Sequence, residues 1–266
     1  KRRTKVMAWS GVAISSGVIF GPAIGSFLSQ TDIHIKYTIG LLHLDRFSVP
    51  FLFASLLGLI VLFVVTKWLK NTARVPKFTT QKVSLRFTFT KYFIVLLILS
   101  FVAQFVVTLF ETVFSIYGKD ELGFNSKQLG LGFMLCGSVM TVLQPVFASY
   151  GEKFLSPKKQ IAIGFLIAGV SLIAFPFFTS EFLVYGLIIM FAAGGALVTP
   201  NLLSVVSLTS KENTGRNISI QSATGSVGQI LGPVVGTWLI ADSFYYPFII
   251  AGLIVIISIG LVRFVT

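Results

Sequence analysis

Apolar residues in this 266-residue chain fall into blocks of about twenty, separated by short polar segments. A helix rises 1.5 Å per residue, so about 20 apolar residues cross roughly 30 Å of hydrocarbon. Eight blocks have that length, at 7–29, 47–66, 92–116, 128–150, 160–178, 182–203, 218–240 and 246–264. The pattern predicts eight membrane-spanning helices and an all-α integral membrane protein. One connection reads differently. In 30–46, Ile33, Ile35, Tyr37 and Ile39 alternate with polar residues up to Gly40, and Leu42 and Leu44 follow. A period of two around a glycine predicts a small hairpin.

The first block contains "GVIFGPAIGSFL", with three glycines and a proline inside an otherwise unbroken apolar run. The arrangement recurs in the seventh block as "GQILGPVVGTWL". Gly17, Gly21, Pro22 and Gly25 correspond to Gly228, Gly232, Pro233 and Gly236, and Lys5 corresponds to Arg216 at the same offset of 211. Each copy follows a basic residue, and six spans separate equivalent points, so both run across the membrane in the same direction. A parallel repeat with a period of six helices is the organisation of transporters built from two related halves. Glycines four apart clear one helix face for close approach of a neighbour, and proline removes one backbone hydrogen bond and bends the span. The two copies are therefore expected to make close contacts between the halves.

Charge places the loops. Only 11% of residues are charged, against roughly 25% in soluble domains, yet the net charge is +12. Seventeen basic residues flank one face: Lys1, Arg2, Arg3, Lys5, Lys67, Lys70, Arg74, Lys77, Lys82, Arg86, Lys91, Lys153, Lys158, Lys159, Lys211, Arg216 and Arg263. Lys36, Arg46, Lys119 and Lys127 lie on the other. The positive-inside rule makes the first face cytoplasmic, both chain ends included. The excess charge thus reflects topology and, secondarily, anionic headgroups; nucleic acid is not an expected partner. The single cysteine, Cys136, lies inside the fourth block, so no disulfide forms within the chain. The sequence opens on a basic run leading straight into a span, as an internal loop would.

The two glycine-proline segments resemble the fifth- and eleventh-helix motifs of the major facilitator superfamily, the former characteristic of its drug:proton antiporters of the Gram-positive multidrug efflux type. The resemblance covers the whole chain as helices 5 to 12 of a twelve-helix transporter, with the first four helices lacking. It implies that 1–66 closes the N-terminal half, 67–91 is the basic cytoplasmic loop between halves, and 92–266 is the C-terminal half. "ASYGEKFLSPKK", 148–159, resembles the family's second cytoplasmic loop motif through Glu152, Lys153, Lys158 and Lys159, although Ala148 stands where glycine is usual. A short solvated loop explains the same residues.

Candidate chemistry is sparse. Of nine acidic residues, Glu111 alone sits within a span. A carboxylate costs about 2.5–3.5 kcal/mol at mid-membrane and less nearer the interface, so an idle one should be rare. Ser100, Gln104, Thr108, Glu111 and Ser115 fall within an arc of roughly 80°, one polar stripe suited to line a water-filled or substrate path. The resemblance places a proton-coupling acid in helix 7, which here is Glu111; snorkelling to the outer headgroups is the alternative. The helix-10 acid of some relatives is absent, Ala196 standing before Pro200. Gln144, Asn201 and Gln221 are further uncharged groups inside spans, candidates for the cavity wall or for helix-to-helix hydrogen bonds. The many phenylalanines, 27 in all, suit either a greasy cavity or the lipid face.

Asp32, His34, His43 and Asp45 could meet across the hairpin, but their spacing matches no metal site. A nucleophile triad, Walker loop or dinucleotide fingerprint is lacking, so neither enzyme chemistry nor a cofactor or metal is expected. The expectation is a bacterial multi-pass plasma-membrane transporter, monomeric when complete, moving small apolar or cationic drugs out against protons. A proton-coupled nutrient symporter of the same fold is the alternative within transport. A shortened chain that does not transport is the alternative outside it.

Overall fold

A computed structural model describes residues 17, 21, 24, 25, 28, 37–39, 42–44, 48–68, 90–209 and 214–265. In the first block, Gly17, Gly21, Ile24, Gly25 and Leu28 are helical. Seven long helices follow among the described residues: α1 (Ser48–Trp68), α2 (Lys91–Asp120), α3 (Ser126–Phe154), α4 (Pro157–Ala174), α5 (Glu181–Leu208), α6 (Thr214–Ile240) and α7 (Tyr245–Val262). The predicted hairpin forms as β1 (Tyr37–Ile39) and β2 (Leu42–Leu44), antiparallel, with Tyr37 opposite Leu44 and Ile39 opposite Leu42. Asp32, His34 and Asp45 lie outside the described residues.

All the helices but α6 are long and apolar enough to cross a membrane. The exception, α6, carries Gln221, Ser222, Ser226 and Gln229 beside its glycines, and this lowers its mean hydropathy without shortening it. Contacts divide the chain into one unit of residues 24–88 and another formed by 1–23 and 89–266. In the first unit, α1 is apolar on every side, the character of a membrane span.

In the second unit, local sequence fixes the helix ends. The Thr90 hydroxyl accepts from Phe93 N at 3.3 Å and starts α2. Gly123, at φ 65°, turns the chain after it, and Phe124 N donates to Gly118 O at 2.7 Å. Asn125 and Gln128 form a reciprocal cap on α3: Gln128 N donates to Asn125 Oδ1 at 3.0 Å, and Asn125 N donates to Gln128 Oε1 at 2.9 Å. Pro157 opens α4, where its missing N–H would have no helical partner.

The packed pairs obey a rule. α2 packs most extensively on α6, as α3 packs on α5; α4 meets α5, as α7 meets α2; α4 and α7 meet each other. Exchanging α2–α4 for α5–α7 leaves this set unchanged. Helices three apart run in opposite directions, so the six form two inverted triplets. The sequence carries a trace of the duplication in "GSVMTVLQPV" (137–146) of α3 and "GSVGQILGPV" (225–234) of α6. In this alignment Met140 and Gln144 stand where α6 has Gly228 and Gly232. The bulk is compensated opposite: a methyl on Gly195 of α5 would stand 2.5 Å from Met140 Cε.

Between apolar helices in lipid no hydrophobic force remains, so dispersion at close contact and polar links must hold the bundle. Glycine pairs supply the first. A methyl on Gly164 of α4 would stand 2.7 Å from Gly194 O of α5, and one on Gly252 of α7 would stand 2.8 Å from Gly169 O of α4. Aromatic rings supply more. Phe110 meets Phe191 at 4.5 Å between centroids and Phe175 at 5.4 Å, and Phe175 stacks on Phe248 at 4.8 Å. Pairs of this kind contribute about 0.5–1.5 kcal/mol each beyond their area. Many phenylalanines thus belong to a buried cluster, a third use beside the cavity and lipid faces expected from composition.

Polar links close the two ends. Gln128 Nε2 donates to Glu181 Oε2 at 2.9 Å, and the Tyr185 hydroxyl lies 3.0 Å from Glu181 Oε1, tying α3 to α5. At the opposite end Lys158 Nζ donates to Arg263 O at 2.7 Å. A cation there also meets the negative pole of α7.

Candidate functional site

The second glycine-proline segment forms the seam between α6 and α2. A methyl on Gly228 would stand 2.7 Å from Phe101 O, and one on Gly236 would stand 2.9 Å from a Val113 methyl. At Gly232 it would collide with Thr108 Oγ1 and stand 2.5 Å from Phe105 O. Pro233 follows inside α6. The motif therefore brings backbone against backbone within one unit. Its glycine face meets Phe101, Phe105 and Leu109 of α2. For Gly17, Gly21 and Gly25, a methyl would meet nothing within 4 Å. Pro22 lies outside the described residues.

Beside the seam, polar side chains of α2 and α6 reach across to one another. Gln221 Nε2 donates to Ser100 Oγ at 3.0 Å, and Gln229 Nε2 donates to Gln104 Oε1 at 3.0 Å. These four residues, with Thr199, Ser222 and Ser226, line a cavity of about 280 Å³. Its described lining contains no charged side chain. The Gln221 Oε1 atom is buried without a hydrogen-bond partner, a costly state for an amide carbonyl, about 1–3 kcal/mol.

The polar stripe of α2 is thus divided. Ser100 and Gln104 face the cavity. Thr108 is pressed into the seam against Gly232, its hydroxyl donating to Gln104 O at 3.0 Å. Glu111 and Ser115 lie further along, with Thr112, Ile116 and Phe133, on a separate open groove of about 500 Å³. The Glu111 side chain is exposed there.

Asn201 does not reach the cavity. It is 5% exposed, and its Nδ2 donates to Gln160 Oε1 at 3.1 Å and Leu197 O at 2.7 Å. Gln160, 1% exposed, donates in turn to Leu155 O at 2.8 Å. The pair is a satisfied link between α4 and α5. Gln144 is half-buried on α3, one residue before Pro145. Of the loop motif, Lys158 makes the bond to Arg263 O and Lys159 is exposed, whereas the side chains of Glu152 and Lys153 lie outside the described residues.

Gln229, Ser222 and Ser226 join the cavity wall beyond the residues that sequence alone suggests. The signal was present: Gln221, Ser222, Gly225, Ser226 and Gln229 recur at helical spacing along one face of α6.

Inverted helix triplets, glycine seams and six described helices long and apolar enough to cross a membrane define a polytopic helical membrane protein. The chain belongs to the Major Facilitator Superfamily, whose model matches residues 1–179 and 96–266. It is 29% identical over 267 residues to the "Tetracycline resistance protein, class B" of Escherichia coli, covering 92% of this chain and 63% of that protein. It is 27% identical to the "Multidrug resistance protein 2" of Bacillus subtilis (strain 168), covering 98% of this chain and 64% of that one. Against the "Quinolone resistance protein NorA" of Staphylococcus aureus (strain Mu50 / ATCC 700699) the identity is 23%, over 88% of this chain and 58% of the relative. The chain spans less than two thirds of the length of these relatives.

Proposed function

We propose that the protein takes part in proton-coupled export of small amphipathic molecules across the bacterial plasma membrane. One observation carries this reading: a single helix, α2, borders an uncharged polar cavity at Gln104 and an exposed acid at Glu111. Seven residues separate them, about 10 Å along the axis at 1.5 Å per residue. A proton taken or released at Glu111 can thereby bias the position of a helix that also forms the cavity wall. The names of the relatives, which carry resistance to tetracycline, quinolones or several drugs, favour export over nutrient uptake.

In this reading the eight apolar blocks are eight spans, and residues 92–266 form one complete six-helix half. Residues 67–91 are the cytoplasmic connection, and 1–66 belong to the other half. Both ends of the chain face the cytoplasm, and the transporter acts as a monomer. The two halves rock against one another to open a central site alternately to either side.

Everted vesicles from cells carrying the complete reading frame test the reading. Energising them should drive tetracycline or a fluorescent quinolone inward, and a protonophore should abolish the uptake. Movement of either probe out of energised everted vesicles would identify an uptake system and overturn the proposal.

A further inference from the structure

Basic side chains gather where α4 begins and α7 ends. Lys158, in the first turn of α4, donates from Nζ to Arg263 O at 2.7 Å. Arg263 caps the C-terminus of α7, and its guanidinium carbon lies 4.9 Å from the centroid of the Phe264 ring. Lys159 follows Lys158 and is exposed, as are Arg263 and Phe264. The Lys158 bond therefore holds three basic residues at the meeting point of two helix ends.

Their donors are not used up within the protein. An ammonium has three N–H groups, of which Lys158 spends one on Arg263 O, and a guanidinium has five, to which the Phe264 ring offers no acceptor oxygen. Among the described residues no carboxylate pairs with Lys158, Lys159 or Arg263: Asp120, Glu121, Glu181 and Asp242 lie at the opposite helix ends, and Glu111 lies within α2. Nearby in the sequence, Glu152 is one acid against Lys153, Lys158, Lys159 and Arg263. The local charge stays positive.

Depth narrows the choice of anion. The apolar stretches of α4 and α7 end at Pro157 and Val262, so the cluster sits where hydrocarbon gives way to headgroups. Exposed apolar side chains continue from it, Ile163, Leu166 and Val170 along α4 and Leu253 and Ile257 along α7. A phosphate tethered to acyl chains fits both the cations and these two surfaces, whereas a free anion fits the cations alone.

We propose that the paired ends of α4 and α7 form a binding site for an anionic phospholipid, with the phosphate held by Lys158 and Arg263 and the acyl chains against the two helices. Arginine suits this task because its fork matches two phosphate oxygens at once. A zwitterionic lipid carries the same phosphate but brings its own cation, which the cluster repels. The site requires only that α4 and α7 cross the membrane, so it stands or falls separately from the transport reading.

The test is native mass spectrometry of the complete protein in neutral detergent, with phosphatidylglycerol and phosphatidylcholine of identical acyl chains. Phosphatidylglycerol should be retained at least about tenfold better, since each basic residue beside an anionic headgroup contributes about fivefold. Arg263→Gln should reduce the preference several-fold and Arg263→Glu should abolish it. Both should keep the thermal midpoint, because Lys158 bonds the backbone carbonyl of residue 263 and not its side chain. Replacing Lys119 and Lys127 together by glutamine, at the other end of the helices, should leave the preference intact, and millimolar inorganic phosphate should not displace the lipid. Equal retention of the two lipids would overturn the proposal, as would a full preference in folded Arg263→Gln. An equal loss in the Lys119 and Lys127 variant would reduce the effect to diffuse charge and overturn it too. Displacement by inorganic phosphate would assign the cluster to a soluble anion instead.

Discussion

Gly232 of α6 sits directly on the backbone of α2, where a methyl in place of its hydrogen would stand 2.5 Å from Phe105 O and 2.9 Å from Leu109 N. Backbone cannot rotate aside as a side-chain tip can. Alanine at this position gains about 1 kcal/mol of helix propensity, but the overpacking should cost about 1–3 kcal/mol and force the helices apart. Gly232→Ala should therefore lower the thermal midpoint in detergent, and Gly232→Leu should lower it further and leave transport leaky or blocked. Gly186 and Gly260 provide the contrast, since a methyl on either meets nothing within 4 Å. Alanine there should be neutral or mildly stabilising. Equal midpoints for all three alanine variants would refute the backbone seam.

The Asn201–Gln160 pair makes a different prediction. Each amide is buried and bonded to the other at 3.1 Å. Removing one leaves the other unsatisfied, at about 1–3 kcal/mol, whereas removing both together can be nearly neutral. Asn201→Leu and Gln160→Leu should each lower the thermal midpoint, and the double variant should recover much of the loss. The panel of transported compounds should not change in the double variant. A change of substrate profile without loss of stability would instead place Asn201 on the transport path.

Which polar residues serve the cavity was only partly legible in the sequence. Asn201 and Gln104 look alike there, as single amides inside apolar blocks. What separates them is rotation about the helix axis, and that is fixed by packing: the Gly164–Gly194 contact turns Asn201 toward Gln160, and the Gly232 seam turns Gln104 toward Gln229. The existence of the helices follows from block length alone, and the hairpin from alternation around Gly40. The glycine repeat marks a cleared helix face, and spacing alone does not show what fills it; at the second copy the structure shows α2 there. Thr108 illustrates the same limit. It shares an arc with Gln104, yet the arc straddles the seam, and Thr108 falls on the packed side.

Glu111 lies on the open groove with Thr112, Ser115, Ile116 and Phe133. If it exchanges the driving proton, Glu111→Gln removes the titrating group while keeping size and hydrogen-bonding capacity. Drug accumulation driven by a pH gradient in everted vesicles should fall to the protein-free background, while membrane insertion and thermal midpoint stay unchanged. Glu111→Asp should retain part of the activity, since it keeps the carboxyl. Undiminished pumping by Glu111→Gln would remove this residue from coupling and leave the headgroup-seeking role.

Orientation can be tested independently of transport. Lys119 is exposed in the last turn of α2, and Lys159 is exposed in the first turn of α4. One helix, α3, lies between them and crosses the membrane once, so the two must face opposite compartments. The sequence assigns seventeen basic residues to the Lys159 side, and the positive-inside rule predicts that this side is cytoplasmic. Cys136 is the single thiol of these 266 residues, so with Cys136→Ser no other cysteine of this chain competes with an introduced one. In intact cells a membrane-impermeant maleimide should label Lys119→Cys, and Lys159→Cys should react only after the membrane is opened. Labelling of both from outside would break the span assignment of α3. Exchange of the two patterns would invert the topology and place Glu111, near the Lys119 end of α2, at the cytoplasmic side. There it would meet the proton gradient from the wrong direction for export.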